Sequence, residues 1–428
     1  MVSPFDTIVA PITGVGGAVA IVRLSGPEAW AISSRVFRPW KPEPMRAQYG
    51  FLSNGDDGIA LPFEEGHSYT GEQSVELSLH ASPASVRSLV EDCMRHGARA
   101  AEPGEFTQRA FLNGRIDLSQ AEAVRDTIEA QTASQLRSAN SRREGALKLE
   151  VQAATDIIFS VLAAVEASVD FSEEIGELDR AAQIERLHEA LAVVDRLISS
   201  SAWDRLIREG IRVALVGPPN AGKSSLMNAL LRSERSIVTP IPGTTRDFLE
   251  EAIEWNGSKI VLIDTAGLRE ASDQVEAIGI ERTREVAVNA DLIWFIFDAT
   301  VGLSPEDRAW TNSFEGSRVV LVGNKSDLAA PTEGLPISAQ QGTGLDKLMQ
   351  TVPIFDEQAT VISSRHHPLV MNAAQALRDA IGVLQAEKPV DLATVFLSDA
   401  LHNLGQITGD TATEDMLQRI FSDFCIGK

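Results

Sequence analysis

A phosphate-binding loop is the clearest chemical signature of the sequence. Residues 217–224 read Gly-Pro-Pro-Asn-Ala-Gly-Lys-Ser and lie between an apolar run and the apparent helix SSLMNALL, which is the strand–loop–helix context that such loops require. Glycine lets backbone N–H groups approach phosphate oxygens, and a helix N-terminus favours negative charge. We expect Lys223 to contact the β- and γ-phosphates as a catalytic residue, and Ser224 to ligate Mg²⁺.

Further motifs follow in the order found in P-loop GTPases. Asp264-Thr265-Ala266-Gly267 ends an apolar run and should face Mg²⁺ and the γ-phosphate. Asn324-Lys325-Ser326-Asp327 should specify guanine, because an adenine would leave the Asp327 carboxylate unpaired. The residues expected to bind GTP are Asn220, Ala221, Gly222, Lys223, Ser224, Ser225, Thr239, Thr245, Asp264, Thr265, Ala266, Gly267, Asn324, Lys325, Asp327, Ser338 and Ala339.

Residue chemistry alone does not identify the group that orients the attacking water. Arg269 stands two residues after Gly267, where Ras-like proteins have a glutamine. Glu270 and Glu276 are charged candidates, although charges in such a segment are commonly solvated loop residues. The segment TPIPGTTRD, which begins at Thr239, supplies threonine hydroxyls for Mg²⁺.

The elements that must position these residues alternate between strands and helices. The runs IRVALVG, EEAIEW, KIVLIDTAG, DLIWFIFDAT, SRVVLVGNKSD and LPISA predict strands, several of them buried on both faces of a parallel sheet. Residues 1–118 predict a mixed α/β domain, in which Ser82 caps a helix. Residues 119–206 and 354–428 have apolar residues at three- and four-residue spacing, so they predict helices that pack together as one bundle around an inserted domain, 207–353.

Composition limits the partners of the protein. The net charge of −22 argues against general affinity for nucleic acids. The most basic stretch holds Arg137, Arg142, Arg143 and Lys148, which we interpret as a solvated helix face, with a local RNA-binding patch as the alternative. No apolar run approaches the ~20 residues that span a bilayer, the N-terminus does not resemble a secretory signal, and two cysteines are too few for a disulfide framework. We therefore expect a cytoplasmic protein without membrane contact.

Several longer motifs identify a family. They are DTIVAPITGVGGAVAIVRLSG, SYTGEQSVEL, PGEFTQRAFLNGRIDLSQAEAVRDTIEAQT, GTTRD, DTAGLRE and the terminal FCIGK. Together they resemble the MnmE (TrmE) family of tRNA uridine-modification GTPases over essentially the whole chain. The resemblance implies a multidomain α/β plus all-α protein. Its parts would be an N-terminal α+β folate-binding-like domain that forms a homodimer, a helical bundle from the central and C-terminal segments, and an inserted Ras-like P-loop GTPase domain.

The resemblance also implies an activity. Together with a flavoprotein partner, MnmG, in a heterotetramer-like complex, the family adds an aminomethyl or carboxymethylaminomethyl group to C5 of the wobble uridine in certain tRNAs. The implied cofactors are Mg²⁺, K⁺ and a tetrahydrofolate derivative, in the 5,10-methylene or 5-formyl form, with FAD only in the partner.

Site residues follow from the same resemblance. It assigns Thr245 to Mg²⁺ and makes Glu276 the catalytic carboxylate that orients water through an intermediary. The residues that match K⁺ ligands are Asn220, Thr239, Ile241 and Thr244, and those that match the folate site are Arg23, Glu76, Arg115 and Lys428. A fixed monovalent cation can stabilise transition-state charge, although an asparagine in a loop commonly makes a local turn hydrogen bond instead.

The cysteines and one departure from the family pattern complete the residue-level expectations. Cys425 is interpreted either as a thiolate nucleophile or as a buried small apolar residue, and Cys93 as structural. His80-Ala81-Ser82 stands where the family has His-Gly-Gly. If that loop needs a positive φ, alanine and serine adopt it reluctantly.

Two other functions remain open at this point. The first is a regulatory GTPase switch in ribosome assembly, which predicts a basic RNA-binding appendage after the GTPase domain. Residues 361–428 hold five Lys or Arg and eight Asp or Glu, which argues against such an appendage. The second is a folate-dependent aminomethyltransferase formed by the N-terminal part alone.

Overall fold

The computed structural model describes six stretches of chain, residues 6–171, 177–233, 249–264, 289–314, 318–353 and 362–427. The chain divides into two compact units. The first unit comprises residues 1–128, 141–195 and 368–428, and the second comprises residues 129–140 and 196–367. The second unit therefore includes a segment, 129–140, from outside the expected GTPase domain.

The helices of the described residues are α1 (Ala29–Val36), α2 (Pro83–Arg95), α3 (Glu105–Leu112), α4 (Leu118–Glu129), α5 (Ala133–Arg143), α6 (Ala146–Asp170), α7 (Arg180–Glu209), α8 (Lys223–Ser233), α9 (Pro305–Asn312), α10 (Leu345–Met349), α11 (His366–Gln385), α12 (Asp391–Thr408) and α13 (Glu414–Ser422). The strands are β1 (Ile8–Pro11), β2 (Val19–Ser25), β3 (Phe37–Arg38), β4 (Gln48–Leu52), β5 (Asp57–Phe63), β6 (Ser74–His80), β7 (Arg99–Ala100), β8 (Ile211–Val216), β9 (Leu249–Trp255), β10 (Ser258–Asp264), β11 (Leu292–Asp298), β12 (Val319–Asn324) and β13 (Leu335–Pro336).

The first unit contains a seven-stranded sheet in the order β3-β4-β5-β6-β2-β1-β7. The pairing of β1 with β7 is parallel, and the other pairings are antiparallel. Apolar residues of α1 and α2, among them Ile32 and Leu89, pack on the face that carries Val22 and Leu77. The N-terminus of α2 is capped as predicted, because Ser82 Oγ accepts from the N–H of Ser85. The opposite face carries Arg23 and Glu76, two of the residues predicted for the folate site.

The central and C-terminal helical stretches pack together, as the sequence predicts. Helix α6 buries residues at three- and four-residue intervals, including Val151, Ile158 and Val165, and it packs along α12. Helix α13 packs on α3 and α4 instead, where Phe421 joins Leu118 in a small core. The C-terminal helices thus complete the first unit.

One predicted helix is broken. The segment SQAEAVRDTIEAQTASQLRSA, whose apolar spacing predicts one long helix within residues 119–206, forms α4 and α5 with a break between Glu129 and Ala133. Thr132 Oγ1 accepts from the N–H of Gln135 at 3.3 Å and so begins a new helix. Threonine is a favoured N-cap residue, and this local signal outweighs the apolar periodicity that favours one long helix.

Helix α6 is the one helix of the described stretches that is long and apolar enough to cross a membrane by length and composition. This finding departs from the expectation that no run approaches that length. It is weak evidence for a membrane span, because core helices of soluble proteins meet the same criterion.

The second unit is built on a six-stranded sheet in the order β13-β12-β11-β8-β10-β9. Its strands are parallel apart from β9, which pairs antiparallel with β10 at the edge. Trp294 and Leu215 lie in the core on one face, whereas Phe295 and Val216 lie in the core on the other. The strands are therefore buried on both sides, as their continuous apolar runs predict.

Candidate functional site

The phosphate-binding loop follows β8 and leads into α8. Gly217 has φ +149°, and a Cβ there would lie 1.9 Å from the carbonyl oxygen of Ile296. Gly222 has φ +93°, and its Cβ would lie 2.2 Å from Asn324 Nδ2. Both positions therefore require glycine because neighbouring strands approach the loop closely. Asn220 is exposed in the loop with φ +62°, a conformation that asparagine tolerates better than most residues.

Lys223, the first residue of α8, folds back over this loop. Its Nζ donates to the carbonyl oxygens of Gly217 at 2.8 Å and of Pro218 at 2.9 Å. The side chain is buried. The ammonium group is thereby held at the mouth of the loop, where a phosphate oxygen would be a stronger acceptor than a neutral carbonyl.

Ser224 and Asp264 meet at the carboxyl ends of two adjacent strands. Asp264 is the last residue of β10 and pairs in register with Leu215 of β8. The Ser224 hydroxyl donates to Asp264 Oδ2 at 2.7 Å. A hydroxyl beside a carboxylate offers the hard oxygen ligands that Mg²⁺ prefers, so these two residues fit the expected magnesium site. Ser225 lies exposed in the same helical turn.

Asn324 connects the phosphate-binding loop to the predicted base-binding loop. Its Nδ2 donates to the carbonyl oxygen of Ala221 at 2.9 Å, and its Oδ1 accepts from the N–H of Ala339 at 3.0 Å. Ser338 is buried, and its Oγ accepts from the N–H of Gln341. Asn324 therefore acts as a structural bridge between two segments that are far apart in sequence.

Lys325 is held by a residue that the sequence analysis missed. It has φ +63°, and its Nζ donates to Asp298 Oδ2 at 2.6 Å. The Lys325 ammonium, with the Thr300 hydroxyl, holds the pKa of Asp298 below its usual range. Asp298 ends β11, and its position after an apolar strand was the available signal. Asp327 is exposed two residues beyond Lys325, where its carboxylate is free to contact a base.

Several predicted site residues lie outside the described residues. They are Thr239, Ile241, Thr244, Thr245, Thr265, Ala266, Gly267, Glu276 and Lys428.

Two predicted folate-site residues are neighbours on the open face of the N-terminal sheet. Arg23 of β2 and Glu76 of β6 stand directly opposite each other in the ladder. Arg23 Nη2 and Nε donate to the same carboxylate oxygen, Glu76 Oε1, at 2.7 and 3.0 Å. The side chains are 13% and 21% exposed, so the pair is largely enclosed yet accessible from one side.

Two aromatic rings that the sequence analysis did not single out enclose Arg23. The guanidinium carbon lies 4.9 Å from the centre of the Tyr69 ring and 5.4 Å from that of Phe106. Burial raises the pKa of Tyr69, and its hydroxyl is 2.9 Å from Thr107 Oγ1. The signal for both rings was their place in the quoted motifs SYTGE and PGEFTQ.

Arg115 is exposed and reaches the loop that carries Tyr69. Its Nη1 donates to the carbonyl oxygen of Gly66 at 2.9 Å. Gly71 lies against its aliphatic part, since a Cβ at Gly71 would be 3.1 Å from Arg115 Cγ. Arg115 thus contacts the loop 66–71 directly, and Arg23 contacts it through the Tyr69 ring.

The cysteines differ from each other in environment. Cys93 is buried in α2, and burial raises its pKa to about 12, as expected for a structural thiol. Cys425 is exposed, so its interpretation as a buried small residue was wrong. The tail beyond it lies against the end of β1, because a Cβ at Gly427 would be 2.2 Å from the carbonyl oxygen of Pro11.

The structure decides two expectations about short segments, and the first of them was wrong. Arg142 is not a solvated residue, because it is 3% exposed and its Nη2 lies 2.8 Å from Asp126 Oδ2. The other basic residues of that stretch, Arg137, Arg143 and Lys148, are exposed. The sequence His80-Ala81-Ser82 imposes no backbone strain, since none of the three residues has a positive φ.

Comparisons with known proteins cover almost the whole chain. The family model described as "GTP-binding protein TrmE N-terminus" matches residues 7–115, and that described as "MnmE helical domain" matches residues 118–425. A protein named "tRNA modification GTPase MnmE" from Moorella thermoacetica is 40% identical over 460 residues, covering 99% of each chain. Its namesake from Chloroflexus aurantiacus is 42% identical over 452 residues, covering 99% of this chain and 100% of the relative.

Solved structures match the chain in part. A crystal structure of Aquifex aeolicus Era bound to GDP.AlF4- is 31% identical, covers 39% of this chain and 66% of that chain, and has a TM-score of 0.27. The G domain of the T. maritima FeoB iron transporter is 27% identical, covers 33% of this chain and 94% of that chain, and has a TM-score of 0.25.

Proposed function

We propose that this chain, which belongs to the MnmE family of tRNA modification GTPases, uses GTP hydrolysis to drive modification of the wobble uridine of certain tRNAs at C5. It is a GTP-hydrolysing enzyme. The group added is aminomethyl or carboxymethylaminomethyl, and the flavin is bound by a flavoprotein partner related to MnmG, with which the chain forms a heterotetramer-like complex.

One observation carries the proposal. Residues from three separate motifs meet at the carboxyl edge of the second sheet, where Ser224 bonds to Asp264 and Asn324 bonds to the carbonyl of Ala221. That edge is where ligands bind in open α/β sheets. The arrangement supports a site in which Lys223 orients the phosphates and Asp327 receives the guanine edge. Mg²⁺, when bound, would supply charge neutralisation for phosphoryl transfer.

A potassium requirement is part of the proposal. Asn220 is exposed at the tip of the phosphate-binding loop, and its side-chain oxygen is a suitable ligand for a monovalent cation. Thr239, Ile241 and Thr244 would complete that site, and Glu276 would orient the attacking water. The physical role of the site is to stabilise negative charge as an arginine finger does.

The N-terminal unit is proposed to bind a tetrahydrofolate derivative. Arg23 Nη1 and Glu76 Oε2 are the atoms of this ion pair that do not bond across it. Together they offer one donor and one acceptor, which suits the amide-like edge of a pterin. Arg115, with Lys428, would bind the carboxylates of the glutamate tail.

The protein is proposed to act as a homodimer. The open face of the N-terminal sheet exposes large apolar side chains on neighbouring strands, and Tyr49 pairs directly with Ile59. Val19, Tyr49, Phe51 and Ile59 are between 44% and 64% exposed. Tyr49, Phe51 and Ile59 adjoin one another on paired strands. Exposed apolar residues that adjoin in this way are typical of an interface, and a second copy would cover them.

The domain division 1–118, 119–206, 207–353 and 354–428 is likewise proposed, as is a cytoplasmic location without membrane contact. Its first boundary, near residue 118, is supported by the family models, which abut between residues 115 and 118.

The proposal is tested with the full chain, its flavoprotein partner and unmodified tRNA. We expect Lys223→Ala to abolish both GTP hydrolysis and C5 modification, because the ammonium at the loop is lost, while binding of 5-formyltetrahydrofolate persists. In the wild type, hydrolysis should be several-fold faster in KCl than in NaCl at equal ionic strength, and Asn220→Ala should remove that difference. Equal rates in both salts would exclude the potassium site, and unchanged tRNA modification by Lys223→Ala would exclude the coupling.

A further inference from the structure

A short segment from outside residues 207–353 packs on the edge of the second sheet. Residues 131–135, called here the strap, join α4 to α5 and include the first turn of α5. The N–H of Ser134 donates to the carbonyl oxygen of Gly257 at 2.9 Å, in the turn between β9 and β10. The N–H of Ala133 lies 3.4 Å from Glu254 Oε1. The hairpin therefore satisfies N–H groups that have no partner within α5, and the carboxylate suits the positive end of its dipole.

Two further contacts bring the strap and the turn close together. Lys259 Nζ donates to Gln131 Oε1 at 3.4 Å. Gly257 has φ +78°, and a Cβ there would be 3.3 Å from Ala133 Cβ. The turn thus needs glycine both for its backbone conformation and for the approach of the strap.

The side chain of Gln135 ties the strap to a second element. Its Oε1 accepts from the N–H groups of Gln131 at 2.7 Å and Thr132 at 3.2 Å. Its Nε2 donates to the carbonyl oxygens of Ile207 and Arg208, both at 3.0 Å, in the last turn of α7. One amide therefore satisfies open groups at the start of one helix and the end of another. The chain enters β8, the strand that carries the phosphate-binding loop, a few residues later.

The β9–β10 hairpin leads from the strap to the nucleotide site. The two strands pair over seven positions, from Trp255 opposite Ser258 to Leu249 opposite Asp264. Asp264, at the far end, contacts Ser224. At about 3.3 Å per residue the strap and Asp264 are about 20 Å apart along the strand. Seven consecutive residue pairs thus connect the turn at Gly257 to Asp264 without interruption.

We propose that the strap is a conformational coupling element between the nucleotide site and helix α5. A nucleotide-dependent shift of Asp264 moves the hairpin, and the hairpin moves the strap through the Ser134–Gly257 bond, while Gln135 holds the strap to the end of α7. Helix α5 continues to Arg143, and the chain from residue 141 onward belongs to the first compact unit. Rigid secondary elements carry coupling of this kind. The inference rests on GTP binding and does not depend on the tRNA chemistry.

Hydrogen exchange of the full-length protein tests the coupling. The protein is compared with GDP and with a non-hydrolysable GTP analogue, each with Mg²⁺, and peptides covering residues 131–143 are followed by mass spectrometry. In the wild type we expect exchange rates in these peptides to differ by about threefold or more between the two nucleotides, because local opening changes with the hairpin.

Ser134→Pro and Ser134→Ala form a matched pair. Both remove the hydroxyl, but only proline removes the N–H that bonds to Gly257, and proline is tolerated in the first turn of a helix. Ser134→Pro should abolish the nucleotide-dependent difference while GTP hydrolysis stays within about twofold of wild type, and Ser134→Ala should retain the difference.

Gln135→Glu provides a second test that does not introduce proline. Glutamate keeps the acceptor for the strap N–H groups, but its second oxygen would face the carbonyls of Ile207 and Arg208. It should reduce the nucleotide-dependent difference, whereas the same change on the exposed face of α6, Gln152→Glu, should not. Identical exchange of residues 131–143 with both nucleotides in the wild type would overturn the inference. So would a difference that persists in both Ser134→Pro and Gln135→Glu.

Discussion

At the nucleotide site, Lys223 and Ser224 form hydrogen bonds with protein groups that a stronger ligand can replace. The Lys223 ammonium donates to the neutral carbonyl groups of Gly217 and Pro218. The Ser224 hydroxyl donates to the carboxylate of Asp264. Charged phosphate oxygens and Mg²⁺ form stronger interactions with these groups than their present partners do. A bound nucleotide with Mg²⁺ would therefore replace the present partners of Lys223 and Ser224.

The Ser224 hydroxyl is predicted to be a magnesium ligand rather than a helix-surface group. Ser224→Ala should lower the affinity for Mg²⁺ by about tenfold or more, since a ligand and its bond to Asp264 are both lost. Ser224→Thr keeps the hydroxyl and should retain most of the affinity. The measurement is GTP hydrolysis as a function of Mg²⁺ concentration. A half-saturating concentration unchanged in Ser224→Ala would contradict this role.

The ion pair of Asp298 with Lys325 predicts a pH-dependent contribution to stability. Lys325 holds the pKa of Asp298 below its usual range, so the folded state favours the ionised carboxylate. The stabilisation is fully present above the unfolded-state pKa of about 3.9 and is lost as pH falls through the lower folded pKa. Asp298→Asn should therefore lower the urea midpoint of the second unit at pH 7, and the difference should shrink below about pH 4. A constant difference at both pH values would contradict the pairing.

Residue types in a motif were predictable, whereas their long-range partners were not. The phosphate-binding loop, Asp264 and Asn324 are recognisable because their spacing is local. Asp298 and Tyr69 escaped detection because each acts on a residue brought close by strand pairing or by a loop. Arg142 was misjudged for the same reason, since its partner Asp126 lies on the preceding helix.

Among secondary-structure elements, strands were easier to predict than helix ends. The apolar runs of β8 and β11 are explained by burial on both faces. The break before α5 was missed although Thr132, which caps α5, is a local signal. The bond from Gln135 to the end of α7 depends on the fold and could not be predicted. The spacing of apolar residues predicts which face of a helix is buried. It does not predict where backbone groups form hydrogen bonds with other elements.

The cap of α2 allows a prediction at this scale. Ser82 has a β-region backbone, with φ −65° and ψ 132°, and accepts the N–H of Ser85. Ser82→Ala should lower the free energy of unfolding by about 1 kcal/mol, and Ser82→Gly by only a few tenths of a kcal/mol. The measurement is the urea unfolding transition of the first unit. Equal effects of alanine and glycine would indicate that the cap does not stabilise α2.

At the scale of the whole molecule, two features of the proposed assembly are linked. The N-terminal sheet exposes Tyr49 and Phe51 on its open face, where we propose that two copies meet. We also propose that two GTPase domains pair in the presence of K⁺ to complete the active site. A dimer held together by its N-terminal domains would keep the two GTPase domains at a high effective concentration. The rate of GTP hydrolysis per chain should therefore not depend on protein concentration.

A substitution in the proposed interface of the N-terminal sheet tests whether dimerisation makes GTP hydrolysis independent of protein concentration. Tyr49→Glu places a charge in the proposed interface and should yield a monomer, whose hydrolysis rate per chain in KCl rises with protein concentration because GTPase domains now meet by collision. Met94→Glu, a charge at an exposed apolar residue of α2, should leave the dimer and the concentration-independent rate intact. Light scattering and initial rates over a hundredfold range of concentration measure both properties. If the Tyr49→Glu protein is monomeric but its rate is unchanged and independent of concentration, hydrolysis does not need a second copy. If the Tyr49→Glu protein is still a dimer, the interface lies elsewhere.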